Sequence, residues 1–228
     1  MKKDTTQKGL FITGTDTDVG KTYIGSQIAI QLDGMGISVV PRKPIESGCQ
    51  LSDGELQPED AKKYFDAVKG KVPLEDICPF RFQPAISPQR AARLANTPIN
   101  TKDTIHACMK NVSEMDYVVV EGAGGFYSPI CEDGLNADLA IALQLPILLI
   151  ANDQLGCINH ILLTIEAIEK RNLKINAVVL NSQQQTHDDA MNNVEDLKAL
   201  VDIPVFSVGK DEKLNRQTGL VKHISKVI

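Results

Sequence analysis

The segment Gly14-Thr15-Asp16-Thr17-Asp18-Val19-Gly20-Lys21-Thr22 constrains this chain more than any other. It follows an apolar run, Leu10-Phe11-Ile12, and opens a helix-compatible stretch, so it reads as strand, phosphate-cradling loop, helix. At such a helix start Asp18, Val19 and Gly20 line the loop, Gly20 lets the backbone approach a polyphosphate, and free amides point at its oxygens. Lys21 supplies a cation, and Thr22 offers a hydroxyl to Mg²⁺. The strict pattern Gly-x-x-x-x-Gly-Lys-[Ser/Thr] requires its first glycine at position 15, where this chain has Thr15; the glycine stands one step earlier, at Gly14. The loop is therefore a variant, which narrows the set of chains it fits.

With 228 residues, 43% of them hydrophobic and 23% charged, the chain has the composition of a folded protein with one substantial core, expected as a single domain over residues 1–228. A formal charge of −5 argues against a nucleic-acid partner, because phosphate backbones need dense Lys and Arg. Cys49, Cys78, Cys108, Cys131 and Cys157 form no Cys-x-x-Cys pair, which fits reduced thiols in a cytoplasmic protein better than a disulfide framework. The polar N-terminus does not resemble a signal peptide, and no apolar run approaches the roughly 20 residues of a membrane helix.

Short β-branched runs alternate with segments of helical period, the pattern of an α/β fold whose parallel sheet carries helices on both faces. Strands are expected at 9–13, 38–43, 117–121, 147–151, 177–180 and 205–208. Helices are expected near 21–33, 58–69, 87–94, 102–112, 137–143, 158–170 and 188–200, with another after Gln217. The stretch from Gln50 to Asn100 shows no convincing strand and reads as a helical excursion that covers a substrate.

In an open parallel sheet, ligands sit beyond the carboxyl ends of the strands. After the second expected strand comes Lys43-Pro44-Ile45-Glu46-Ser47-Gly48, where Lys43 is either a solvated strand end or a second cation for a transferring phosphoryl group. After the third comes Glu121-Gly122-Ala123-Gly124-Gly125: an acid at a strand tip suits Mg²⁺ held on a nucleotide, and Gly122 and Gly124 let backbone lie close to a ligand. Asp60 is a second candidate carboxylate or an ordinary helix-start acid. After the fourth, Leu155-Gly156-Cys157-Ile158-Asn159-His160 leads into a helix whose free amides suit a carboxylate; Cys157 and His160 lack the orienting partner of a nucleophile pair. After the fifth, Asn181 either reads an adenine edge or forms a turn.

These four loops, in this order, resemble the dethiobiotin synthetase family of P-loop NTPase-like enzymes, and the resemblance spans nearly the whole chain. It implies a homodimer that carboxylates 7,8-diaminononanoate with CO₂, phosphorylates the carbamate with ATP, and closes a ureido ring as phosphate leaves. Carried over by position, it implies that Lys21 and Lys43 stabilise carbamate and phosphoryl oxygens, with Thr17 and Ser47 near the reacting carbamate. It implies further that Thr22, Asp60 and Glu121 hold Mg²⁺, that Asn181 contacts adenine, and that Gly156, Cys157 and Asn159 bind the substrate carboxylate across the dimer. The chain departs from the family at Asp18, where a Glu is common, and at Gln89, where a His commonly follows the Ser87-Pro88 turn. No tyrosine lies near His187 to Met191, where some members place an aromatic side chain against the substrate.

The competing reading is a nucleotide-driven partition or positioning ATPase of the ParA and MinD kind. Such proteins carry a signature lysine near the start of the loop, where this chain has Asp16. A cobalamin-pathway amidoligase shares related loops, but 228 residues leave no room for its glutaminase domain. No Asn-Lys-x-Asp guanine motif is present, which favours ATP over GTP.

Overall fold

The structure is a computed structural model that describes residues 7–182, 190–210 and 212–226. In chain order the first half runs β1 (Gly9–Gly14), α1 (Lys21–Gly34), β2 (Val39–Arg42), β3 (Ile45–Ser47), β4 (Gln50–Ser52), β5 (Glu55–Gln57), α2 (Glu59–Ala67), α3 (Leu74–Ile77), β6 (Phe80–Phe82), α4 (Pro88–Leu94) and α5 (Thr101–Met109). The second half continues with β7 (Tyr117–Gly125), β8 (Pro129–Cys131), β9 (Gly134–Leu135), α6 (Asn136–Leu143), β10 (Ile147–Asn152), α7 (Cys157–Glu169), β11 (Ile175–Asn181), α8 (Asn193–Lys198), β12 (Val205–Val208) and α9 (Gly219–Ser225).

Six strands form one parallel sheet in the order β12-β11-β10-β1-β7-β2. Its strands are apolar on both faces, because a parallel sheet covered twice has no solvent side on which polar residues could alternate. Leu10, Ile12, Val119, Leu148 and Ile150 point to one face, where they meet Ile24, Ile28 and Leu32 of α1, Tyr64 of α2, and Leu220 and Ile224 of α9. Phe11, Val118, Val120, Leu149 and Val178 point to the other, against Leu139 of α6, Ile161 and Ile165 of α7, and Leu197 of α8. The four-residue spacing of Ile24, Ile28 and Leu32 gives α1 the stripe that this burial requires.

Neighbouring strands β1 and β7 send their connections to opposite sides of the sheet, β1 toward β2 and β7 toward β10. The crevice between their carboxyl ends is the topological switch point at which open α/β sheets bind ligands.

The expectation that the 50–100 stretch holds no strand is corrected. It contains the antiparallel pair β4 and β5 and also β6, which pairs in parallel with β3. Strands of three residues are too short for alternation to show in sequence. Asp53 and Gly54, both at positive φ, form the tight turn that joins β4 to β5. The short hairpin of β8 and β9 likewise leaves no alternation in the sequence. In the region expected as a helix over 188–200, α8 spans Asn193–Lys198, its start marked by the Asn192 side chain accepting from the Glu195 amide at 3.3 Å; residues 188 and 189 lie outside the described residues. Among the described residues no helix is long and apolar enough to cross a membrane.

Candidate active site

The phosphate loop folds over its own first glycine. A Cβ at Gly14 would lie 2.7 Å from a Val19 methyl, 2.8 Å from the Asp16 carbonyl oxygen and 3.2 Å from Lys21 Nζ, so no side chain fits there. This explains why the glycine stands at 14 in this variant. Gly20, the residue before α1, has φ +94°, and Asp18 has φ +57°. Positive φ favours glycine at the first, and at the second a short acid, whose side chain tolerates the left-handed region better than most.

Lys21 and Thr22 open α1 with their side chains buried in a cleft of about 330 Å³. Thr17, Asp18 and Gly20 line it from the loop, Lys43 and Ser47 from the β2–β3 segment, Asp60 from α2, and Glu121 and Gly124 from β7. Lys21 Nζ donates to the Asp16 carbonyl oxygen at 2.8 Å. Burial is the main cause that pulls its pKa down to about 8; Glu121 opposes this and nearby Lys43 adds to it.

Glu121, at 1% exposure, is the hub. Its Oε1 accepts from the Thr22 hydroxyl at 2.9 Å and from the Lys43 ammonium, while Oε2 accepts from the Tyr64 hydroxyl at 2.7 Å. Lys43 also lies 3.4 Å from Asp60 Oδ2. Burial disfavours its charge, but Glu121 and Asp60 outweigh that cost and hold the ammonium above the ordinary lysine range. For Asp60 the same balance runs the other way: burial raises its pKa, Lys43 and Lys63 lower it, and the net shift is downward.

Three residues that the sequence reading gave no role hold this arrangement. Glu46 accepts from the amides of Asp60 and Ala61, both at 3.0 Å, and so caps α2 and fixes the acid's helix against the cleft. Tyr64 follows Asp60 by one helical turn, and that four-residue spacing was a legible signal that both face the same way. Asn136 is fully buried, donates to the Ala123 and Gly125 carbonyls at 2.6 and 2.7 Å, and accepts from the Ala123 amide at 3.2 Å. It clamps Gly122 to Gly125, which continue β7 rather than leaving it as a loop. No sequence signal links it to them, since the contact is made by a hairpin that folds back.

Asn181 ends β11 with its side chain buried, and its amide donates to the Val19 carbonyl at 3.0 Å, tying the strand tip to the phosphate loop. At the start of α7, Gly156 has φ +89° and, like Asn159, is exposed; the Cys157 thiol is buried and its amide donates to the Gln154 carbonyl at 3.0 Å. These residues do not line the cleft that holds Lys21 and Glu121. Cys157 lines a neighbouring cavity of about 240 Å³ together with Thr15 to Val19. All five cysteines are free and buried.

A larger cleft, about 510 Å³, opens among Ile37, Ser38 and Asp116, which precede β2 and β7, and so lies at the opposite end of the strands. Its acids Asp33 and Asp76 are paired with Lys71 and Lys110. The smaller cleft brings together the phosphate loop, the two lysines and the carboxylates, and is the candidate site.

A parallel sheet with a phosphate loop between β1 and α1 and an acid at the tip of the adjacent strand defines a P-loop NTPase-like α/β protein. An AAA domain model matches residues 8–218. The fold is shared with a ParA family ATPase from Chlorobium tepidum (TM-score 0.54, 15% identity, 97% of this chain and 92% of the other) and with the MinC:MinD complex from Aquifex aeolicus (TM-score 0.54, 16% identity, 96% and 86%). At that identity the similarity concerns fold alone. Sequence relatives reach further: the ATP-dependent dethiobiotin synthetase of Anaeromyxobacter sp. is 39% identical over 184 residues, 81% of each chain, and that of Ruthia magnifica is 35% identical over 198 residues, 87% of this chain and 89% of the relative. The chain belongs to the dethiobiotin synthetase family, and the protein is an enzyme of the synthetase class.

Proposed function

We propose that the protein uses ATP to carboxylate 7,8-diaminononanoate with CO₂ and close the ureido ring of dethiobiotin. The observation that supports this reading most directly is the pairing of two buried lysines, Lys21 and Lys43, on one cleft with Glu121 between the loop and the strands. One substrate amine attacks CO₂ and loses a proton, giving a carbamate. A carbamate oxygen then attacks the γ-phosphorus of ATP and ADP leaves. The second amine attacks the activated carbonyl and loses a proton, phosphate departs with the bonding pair, and the ring closes.

Negative charge develops on oxygens throughout, so cations matter more than a protein nucleophile. Lys21 and Lys43 hold that charge, while Thr17 and Ser47 orient the carbamate end. The backbone of Asp18 to Thr22, with the surfaces of Gly122 and Gly124, cradles the polyphosphate, and Asn181 borders the adenine side through its hold on Val19. The oxygens of Thr22, Asp60 and Glu121 are the hard donors that suit Mg²⁺. In this arrangement the Lys43 ammonium already bridges Glu121 and Asp60, so the site accommodates positive charge at that position. A Mg²⁺ ion held by these oxygens beside the Lys43 ammonium would supply further neutralisation of phosphate charge.

A homodimer completes the site, with the α7 start, its exposed Gly156 and Asn159 flanking the buried Cys157, facing the substrate carboxylate of the other subunit. We place the work in one domain and in the cytoplasm, where ATP is available and five thiols stay reduced.

The test is phosphate release from ATP with diaminononanoate, bicarbonate and Mg²⁺, each omitted in turn. Release that requires all components supports the reading, and release indifferent to the diamine overturns it.

A further inference from the structure

The two carboxylate oxygens of Glu121 have different surroundings. Oε1 accepts from Thr22 and Lys43, which line the cleft, whereas Oε2 accepts from the Tyr64 hydroxyl at 2.7 Å. Tyr64 does not line the cleft; it is fully buried on α2, among Ile24, Ile28 and Ala61. Apolar packing accounts for the ring but not for the hydroxyl, since an unpaired buried hydroxyl costs about 1–3 kcal/mol. Helix α1 accommodates that hydroxyl at Gly25, where a Cβ would collide with it. Two helices are thus shaped around one hydrogen bond to one oxygen.

We infer that Tyr64 is a positioning residue that restricts Glu121 to single-oxygen coordination and thereby sets a preference for Mg²⁺ over Ca²⁺. This rests on the proposed role of Glu121 as a metal ligand. Mg²⁺ binds in near-ideal octahedral geometry through one or two carboxylates, whereas Ca²⁺ takes six to eight oxygens and readily accepts both from one carboxylate. With Oε2 held by the phenol, Glu121 presents Oε1 alone to the cleft. Removing the hydroxyl frees the carboxylate to turn and offer both oxygens.

The experiment is calorimetric titration of ATP, without diamine or bicarbonate, into full-length protein in Mg²⁺ or in Ca²⁺. It compares the wild type with Tyr64→Phe, Gly25→Ala and Glu121→Gln, each checked by thermal melting. Tyr64→Phe should raise the ratio of Ca²⁺-supported to Mg²⁺-supported affinity by about fivefold, the scale of one hydrogen bond. Gly25→Ala, which displaces the same hydroxyl without deleting it, should move the ratio in the same direction and carries the comparison if Tyr64→Phe does not fold. An unchanged ratio in a folded variant overturns the inference. Glu121→Gln separates the two claims. Loss of metal-dependent ATP affinity there, with no change in the Tyr64→Phe ratio, refutes the role of Tyr64 alone, whereas unaltered metal dependence in Glu121→Gln refutes the metal assignment itself.

Discussion

Thr22 donates its hydroxyl to Glu121 Oε1 at 2.9 Å, across a sequence separation of 99 residues. The bond joins the first turn of α1 to β7 and so ties the end of the phosphate loop to the acid that faces it. Lys43, just after β2, shares the same oxygen. The charge balance of the site is therefore set jointly by α1, β7 and the segment that follows β2.

Removing one charge of the Lys43–Glu121 pair should cost more than removing both. Glu121→Gln leaves the Lys43 ammonium buried with Asp60 at 3.4 Å as its remaining acid, and should lower unfolding stability by about 3 kcal/mol. Adding Lys43→Met should recover part of this, giving a coupling of about 1 kcal/mol or more in a urea-denaturation cycle. The folded pKa of Lys43 lies above its unfolded value, so its stabilisation is complete below the ordinary lysine range and is lost as pH rises through the folded value. Lys43→Met should lack that alkaline loss.

Lys43→Gln should lower turnover by roughly tenfold or more, about 1.4 kcal/mol per decade, because it removes a cation from the cleft in which phosphoryl charge develops. Steady-state phosphate release at saturating substrates measures it. Unchanged kcat would reduce Lys43 to a strand-end residue.

Lys21 has the opposite pH signature to Lys43. Its folded pKa of about 8 lies below the unfolded value, so between those values the unfolded chain binds the proton that the folded chain has released. Stability therefore rises with pH across that window. Nucleotide phosphates favour the charged form, so ATP binding near pH 8 should take up about half a proton through Lys21 and almost none well below that pH. Calorimetry in two buffers of different ionisation enthalpy reads the uptake, and Lys21→Met should abolish it.

Gly122→Ala should destabilise the protein although it adds a single methyl group. The new Cβ would lie 2.6 Å from Asn136 Oδ1 and displace the side chain that holds Ala123 and Gly125. A loss of about 1–3 kcal/mol is expected from the buried groups left unpaired, with Asn136→Ala showing a similar fall. Thermal or urea unfolding checks both; an unperturbed Gly122→Ala would show that the clamp is dispensable.

The sequence by itself determined the alternation of strands and helices, the phosphate loop and the loops that follow β1, β2, β7 and β10, because these are written in local periodicity and in contiguous residue types. It also marked Lys21, Thr22, Lys43 and Glu121 as candidates from their places after strand ends, and left Asp60 open between a helix-start acid and a second carboxylate; all five line one cleft. Tertiary structure alone decided how their charges are shared. Glu46 capping α2, Tyr64 holding one oxygen of Glu121, Asn136 clamping the glycines and Asn181 gripping Val19 are contacts between residues 11 to 162 positions apart. Such contacts depend on strand order and helix docking, which place distant side chains within about 3 Å of each other; the sequence shows at most that Asp60 and Tyr64 share a helix face, not what that face meets. The displaced Gly14 shows both levels at once: the sequence marks it as unusual, and only the fold reveals the Lys21 ammonium, the Val19 methyl and the Asp16 carbonyl that exclude any side chain there.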